Sequence, residues 1–160
     1  MCAILFTVCN AHVGPIIARD VSGDCGENLH WNYNSASFTL TISGTGEMYN
    51  YEFSNSTPWN SFASSITNII LEDGLTSIGN HAFSNCTSLT QITIPSSVET
   101  IGDYAFEECS SLLNVTIPPN VRTIGSYAFV YCSSLKNVTI LSSSVSIPYM
   151  SFCGCTLWKV

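Results

Sequence analysis

Charged residues are scarce in this sequence, and basic residues most of all. Only 9% of its 160 residues are charged, with 4 Lys and Arg against 11 Asp and Glu and a formal net charge of −7. Binding to phosphate backbones requires clustered Lys and Arg, so a nucleic-acid partner is disfavoured. All the acids lie within residues 20–108, whereas Arg122, Lys136 and Lys159 follow them. Where sequence order becomes spatial order, the N-terminal half is expected to be acidic and the C-terminal end weakly basic.

Long apolar runs and catalytic motifs are missing as well. No stretch approaches the roughly 20 apolar residues of a membrane-spanning helix, so no transmembrane segment is expected. There is no G-x-S-x-G, H-E-x-x-H or phosphate-binding loop, and the three histidines are scattered. One group of acids has a spacing that matches no calcium-binding loop, and a solvated face is favoured over a weak Ca²⁺ site: Glu99, Asp103, Glu107 and Glu108. The sequence therefore predicts no enzyme, no cofactor and no metal site.

The first residues resemble a short export signal. Residues 3–9 form an apolar run, and residues 9–11 resemble a small-x-small cleavage site. No basic residue precedes the run, which is also short, so an apolar strand or the ragged start of a fragment is the alternative. We assign residues 1–21 to a leader and linker and expect an extracellular or cell-surface protein.

One unit is written three times in succession between Leu75 and Ser143. Two residue types recur at intervals of 23: isoleucine at 78, 101, 124 and 147, and cysteine at 86, 109, 132 and 155. A period between about 20 and 50 residues indicates stacked repeats, in which no single unit can bury its apolar face alone. We assign residues 75–160 to three full units and a degenerate fourth.

Each unit contains a short strand and a return segment. Leu89, Ile92 and Ile94 are expected on the inner side of the strand, which Pro95 ends by removing a ladder donor. Gly102 is expected to permit a turn into a single helical turn. Three equivalent residues are suited to cap that helical turn: Asn80, Asp103 and Ser126.

Two further columns of the repeat are expected in the core. The phenylalanines should stack as an aromatic spine: Phe83, Phe106, Phe129 and Phe152. The cysteines should be buried free thiols: Cys86, Cys109, Cys132 and Cys155. Cys25 is the odd residue, expected to be an exposed thiol or to join an intermolecular bond, and a metal or redox role for 153–155 is the weaker alternative to packing.

Residues 22–74 lack the repeat and are predicted to cover its N-terminal end. Leu29–Tyr33 and Phe38–Ile42 alternate apolar and polar residues around a short polar turn, which predicts a β-hairpin. An aromatic cluster follows, and residues 66–71 lie one period before 89–94 as a half repeat. Such a β cap is needed because an open solenoid end leaves ladder hydrogen bonds unsatisfied.

The repeat resembles a known family. The pattern I-G-x-x-A-F-x-x-C-x-S-L-x-x-[IV]-T-[IV]-P is similar to the BspA-like (treponemal-type) leucine-rich repeat, and segments around Cys25, Trp31, 40–46 and Trp59 resemble its N-terminal segment. This resemblance implies a β-rich α/β repeat solenoid. It also implies a secreted or surface protein that binds host cells or matrix proteins.

The fourth unit departs from the pattern. Pro148 and Ser151 stand where Gly125 and Ala128 would recur, and the register breaks after residue 155. Leu157 and Trp158 are expected to form a minimal C-terminal cap. The alternative is an open edge that promotes self-association through main-chain hydrogen bonds.

Alternation along the strands places eight residues on an outer face: Asn68, Ile70, Gln91, Thr93, Asn114, Thr116, Asn137 and Thr139. This set is the candidate binding face for a protein or glycan partner; a merely soluble sheet face is the alternative.

Four N-x-S/T sequons are possible glycosylation sites: Asn55, Asn85, Asn114 and Asn137. The competing function is a structural module that assembles through its solenoid ends.

Overall fold

Equivalent segments of successive repeats lie side by side as parallel strands in the computed structural model, which describes residues 20–157. On one side of the core, β8 (Asn114–Ile117) pairs with β10 (Asn137–Ile140), and Asn114 lies opposite Asn137. On the other side, three strands pair in parallel in the same way: β6 (Leu75–Ile78), β7 (Thr100–Ile101) and β9 (Thr123–Ile124). Residues 23 apart in sequence are therefore neighbours in space, one rung above the other.

The predicted hairpin is present near the N-terminus. β2 (Leu29–Asn34) and β3 (Thr39–Gly44) pair antiparallel, and the backbone N–H groups of Ala36 and Ser37 donate to Asn34 Oδ1 at 3.0 and 2.9 Å. β1 (Val21–Asp24) adds an antiparallel edge strand, so the structure extends into the last residue assigned to the linker. Residues 1–19 of the leader and linker lie outside the described residues.

The half repeat joins the hairpin rather than the next rung. β5 (Asn68–Leu71) pairs in parallel with β3, which gives a sheet of order β1-β2-β3-β5. Within residues 20–157, no backbone hydrogen bond joins 68–71 to 91–94, and that rung contributes one bridge, from Gln91 to Asn114. The outer face is thus divided between two sheets. The remaining elements are β4 (Gly46–Glu47), which pairs with β6, and a 3-10 helix at Asn60–Ser65.

The aromatic spine is confirmed and is longer than expected. Phe83, Phe106 and Phe129 are fully buried, with ring centroids 5.4 and 5.0 Å apart. Phe152 continues the stack at 5.1 Å. At the other end Trp59 stacks on Phe83 at 6.0 Å and donates its Nε1–H to the Ala82 carbonyl at 2.8 Å. The cap therefore closes the array with a ring of its own.

The predicted helical turn is not formed, and the corresponding segments are chains of turns. Alternate backbone N–H groups are used between rungs instead: those of His81, Phe83 and Asn85 donate to the carbonyls of residues 103, 105 and 107 at 2.9, 2.8 and 2.8 Å, whereas the N–H groups between them donate to carbonyls three residues earlier. His81 and Asn85 have φ of 55° and 62°, and the equivalent residues of the next two rungs also have a positive φ. Hydrogen bonding along the stack replaces the bonding that a helix would require.

The predicted helix caps also have a different role. Asn80 Oδ1 accepts the Asp103 N–H at 2.8 Å, and Asp103 Oδ1 accepts the Ser126 N–H at 2.6 Å. Asn50 Oδ1 starts this chain by accepting the Asn80 N–H at 2.9 Å, although it lies outside the repeat. Each side chain therefore holds the rung above it rather than its own segment.

Gly102 is required by close approach rather than by a turn. A Cβ there would lie 2.5 Å from Asn80 Oδ1 and 2.6 Å from the Asn80 nitrogen, and Gly125 is equally crowded by Asp103. Neither glycine has a positive φ. The small residue leaves room for the hydrogen bond between rungs.

The fourth unit stacks on the third despite its altered sequence. Ser151 is fully buried, and its hydroxyl donates to the carbonyls of Pro148 and Gly125 at 2.8 and 3.2 Å. Its backbone accepts the Phe129 N–H at 2.8 Å. Among the described residues, no backbone carbonyl accepts the Tyr127 N–H, whereas the Tyr104 N–H donates to residue 126. In the described part of this turn, the hydrogen bond between rungs is therefore missing only at Tyr127, beside the altered position Pro148, and the later bond from Phe129 is kept.

Candidate recognition surface

The eight residues predicted on the outer face are all exposed. In β5 and β8 exposed and buried residues alternate strictly, and the same alternation holds for 91–94. The residues that point inward between them are buried: Ile69, Leu71, Ile92, Ile94, Val115 and Ile117. The binding role of the outer residues stays a prediction.

Two asparagines order part of this face. The Asn137 Nδ2–H donates to Asn114 Oδ1 at 2.7 Å across β8 and β10. The bond fixes both amides, which leaves further donor and acceptor capacity toward solvent. Ile70 differs from the others because it is apolar and 45% exposed. The face therefore combines uncharged polar groups with one apolar contact point.

The four sequons lie in different settings. Asn55 is exposed, as are Asn114 and Asn137 on the candidate face. Asn85 is partly buried, and its N–H donates to the carbonyl of Glu107 at 2.8 Å. Glycans at Asn114 or Asn137 would obstruct the candidate face, and glycosylation stays a prediction.

The turn side carries a second set of surface rings that the sequence did not predict as a unit. His81, Tyr104 and Tyr127 stack in nearly parallel planes, with centroids 4.9 and 5.0 Å apart. All three are partly exposed. The signal that could have identified them is the recurrence of ring residues at intervals of 23 in the sequence, at positions 81, 104 and 127.

Glu107 lies beside these rings. Its Oε2 is 3.8 Å from His81 Nδ1, and its side chain is 23% exposed. Partial burial raises the pKa of the Glu107 carboxyl, and the nearby His81 opposes that rise. The neighbouring Glu108 is exposed.

Three cysteines of the column are buried as predicted, whereas Cys155 is only partly buried, and Cys25 is not exposed. Cys86, Cys109 and Cys132 have no accessible surface, and Cys109 Sγ donates to the Phe83 carbonyl at 3.3 Å. Cys25 is equally buried, since its N–H donates to the Leu29 carbonyl and its own carbonyl accepts the Tyr49 N–H. The expectation of an exposed thiol at Cys25 was therefore wrong. Cys153 is exposed.

The acidic group is dispersed over the surface. Glu99 Oε2 lies 3.7 Å from Arg122 Nε, and both side chains are more than half exposed. Within residues 20–157, no three His, Cys, Asp or Glu side chains are grouped closely enough to hold a metal ion. In the same range no helix is long and apolar enough to cross a membrane.

The C-terminal edge exposes apolar side chains. Ile140, Leu141 and Ile147 are 41%, 57% and 41% exposed. Leu157, one half of the predicted cap, is 38% exposed, and Trp158 lies outside the described residues.

Solved structures of leucine-rich repeat proteins resemble this chain. A leucine-rich repeat protein from Eubacterium ventriosum ATCC 27560 matches with a TM-score of 0.64 and 22% identity, over 88% of this chain and 44% of that one. The T. pallidum leucine-rich repeat protein TpLRR matches with a TM-score of 0.56 and 22% identity, over 77% of this chain and 62% of that one. This chain thus spans less than two thirds of either protein, and the likeness shows a leucine-rich repeat fold.

The sequence itself matches a family model. No curated protein sequence gives a significant match. The BspA type leucine-rich repeat region matches residues 57–160 in six copies, which is more than half of the chain. The parallel strands, the stacked core columns and the family match all indicate a leucine-rich repeat protein. The chain belongs to the BspA-type leucine-rich repeat family.

Proposed function

We propose that this protein is a non-enzymatic recognition protein, secreted or held at the cell surface, that binds a host-cell or matrix protein through its sheet face. The observation that carries the proposal is the exposed outer column, uncharged and, apart from Ile70, able to hydrogen-bond, above inner residues that are buried along β5, 91–94 and β8. Leucine-rich repeat proteins are typically non-enzymatic, which fits the lack of catalytic motifs in the sequence.

The geometry of the face suits recognition because its groups are held in place before binding. The 2.7 Å bond between Asn137 and Asn114 and the β8–β10 ladder restrict both side chains and backbone. Ordering groups on binding costs free energy, so a preordered face retains more affinity. Export is supported by the apolar run near the N-terminus and by the resemblance to surface repeat proteins.

A fourfold alanine variant tests the face: Gln91→Ala, Thr93→Ala, Asn114→Ala and Thr116→Ala. All four residues are exposed, so the variant should keep its fold while capture of matrix proteins on a sensor surface is lost. A matched control replaces two exposed threonines of the opposite sheet, Thr100→Ala and Thr123→Ala, and should bind normally. Undiminished capture by the fourfold variant contradicts the assignment, and capture of glycans alone would change the class of partner.

The exposed C-terminal edge favours self-assembly as a second candidate function. Ile140, Leu141 and Ile147 are all more than 40% exposed. Light scattering at low and high salt separates the two functions. A protein that stays monomeric at both salt concentrations eliminates assembly through this edge.

A further inference from the structure

A groove of about 380 Å³ lies on the turn side of the last three rungs, away from the sheet face. Its lining includes Tyr104, Tyr127 and Tyr131, together with Val130 and Met150. Tyr131 is 57% exposed. The groove thus presents aromatic surface to solvent.

The groove exists because neighbouring columns hold side chains of unequal size. Gly154 occupies the position one rung beyond Tyr131, and a Cβ there would lie 2.7 Å from Tyr131 Cδ1. The Tyr131 ring therefore rests over the Gly154 backbone, which has φ of 78°. In the next column Glu107, Val130 and Cys153 succeed one another and all three line the groove.

Glu107 is the charged residue of this lining. Its ionic neighbour within residues 20–157 is His81, whose Nδ1 is 3.8 Å away and which is charged only when protonated. Partial burial raises the pKa of the Glu107 carboxyl, and His81 opposes that rise. Within residues 20–157 the Glu107 carboxylate therefore lies beside aromatic surface without a permanent cationic partner.

We propose that this groove receives an arginine side chain presented by a protein partner. A guanidinium is planar, packs against aromatic surface and bonds a carboxylate through parallel donors. These are the two features that the groove combines, with Glu107 for the charge and Tyr127 and Tyr131 for the contact surface. The site is independent of the proposed sheet face and does not depend on what binds there.

The test uses small probes on the full chain. N-acetyl-arginine N-methylamide is titrated by NMR against its neutral counterpart N-acetyl-citrulline N-methylamide. Cys153 supplies a second measurement, because it is exposed and lines the groove. The arginine probe should shift the resonances of groove residues and slow iodoacetamide alkylation of Cys153, followed by peptide mapping, while the citrulline probe does neither.

Two variants and one control sharpen the test. Glu107→Gln should weaken arginine binding about tenfold, since a charge-assisted bond is replaced by a neutral one. Glu108→Gln makes the same change one residue away at an exposed position and should bind as the wild type does. Tyr131→Asn should also weaken binding, and asparagine tolerates the φ of 58° found there.

Several results would overturn the proposal. These are the absence of any shift or protection at saturating arginine probe, equal effects of citrulline, and unchanged affinity in folded Glu107→Gln. Tighter binding of the matching lysine probe would overturn the assignment to arginine. Because the sheet-face residues are untouched in all these variants, loss of groove binding with intact matrix capture, or the reverse, separates this proposal from the proposed function.

Discussion

Replacing Gly102 with alanine tests whether this glycine is present for the approach of adjacent rungs. The added Cβ would lie 2.5 Å from Asn80 Oδ1, 2.6 Å from the Asn80 nitrogen and 2.8 Å from the Gly79 carbonyl carbon. Two of these atoms belong to the backbone, so no side-chain rotation relieves the crowding. The rungs themselves must move apart.

The expected change in the free energy of unfolding follows from two destabilising effects and one stabilising effect. Overpacking by one methyl group costs about 1–3 kcal/mol. Weakening the 2.8 Å bond from the Asp103 N–H to Asn80 Oδ1 adds about 0.5–1.5 kcal/mol. Alanine also restricts the unfolded chain, which returns about 0.4–1 kcal/mol. A net loss of about 2 kcal/mol corresponds to a fall in Tm of about 4–8 °C for a chain of this size.

Thermal unfolding followed by circular dichroism measures this fall for Gly102→Ala, Asn80→Ala and the double variant. Asn80→Ala alone should lose only the hydrogen bond. The double variant should remain destabilised relative to Asn80→Ala, because the contacts with the Asn80 nitrogen and Gly79 persist. A Tm for Gly102→Ala that is unchanged or raised would refute the close-approach argument.

Two further predictions concern the core columns. Phe106→Ala should cost about 3–5 kcal/mol in urea unfolding, and Phe152→Ala should cost less because its ring is only partly buried and stacks on Phe129 at one side; equal losses would contradict a graded spine. Burial raises the pKa of the Cys86 thiol from 9.0 to about 12. The unfolded state therefore binds fewer protons at this thiol between these values, so the contribution of Cys86 to the free energy of unfolding should be constant below pH 9 and fall between pH 9 and 12 under reducing conditions. Cys86→Ala should lessen that fall, and an identical pH dependence in wild type and variant would contradict it.

The core could be predicted from sequence because four copies report on each position. The residue types of Phe83 and Cys86 recur at every rung, and an apolar residue type that is the same in all copies indicates a buried position. Cys25 had no such copies, and its burial depends on backbone bonds to Leu29 and Tyr49 that the sequence spacing does not reveal. Its environment was accordingly predicted wrongly.

Local rules failed on the turn side because they assign hydrogen bonds within one segment. Asn80 and Asp103 are good helix caps by residue type, yet their oxygens accept N–H groups of the following rung. Stacked rungs supply a carbonyl partner for alternate N–H groups of the segment, and these are bonds that a helix would otherwise have to make. The outer face was easier to predict, since strand alternation depends on the chain itself rather than on its neighbours.

The same stacking explains where a ligand site could be missed. Rungs repeat at a spacing near that of the stacked rings, whose centroids are 5.0 Å apart at Phe106 and Phe129. Identical rings stacked at this spacing leave no gap between successive side chains. A column that changes from Glu107 to Val130 to Cys153 cannot close in the same way, and the space that remains is the groove. Positions that break the repeat on a regular frame are therefore where a repeat protein acquires a concave site, and they are the positions that a search for regularity discards.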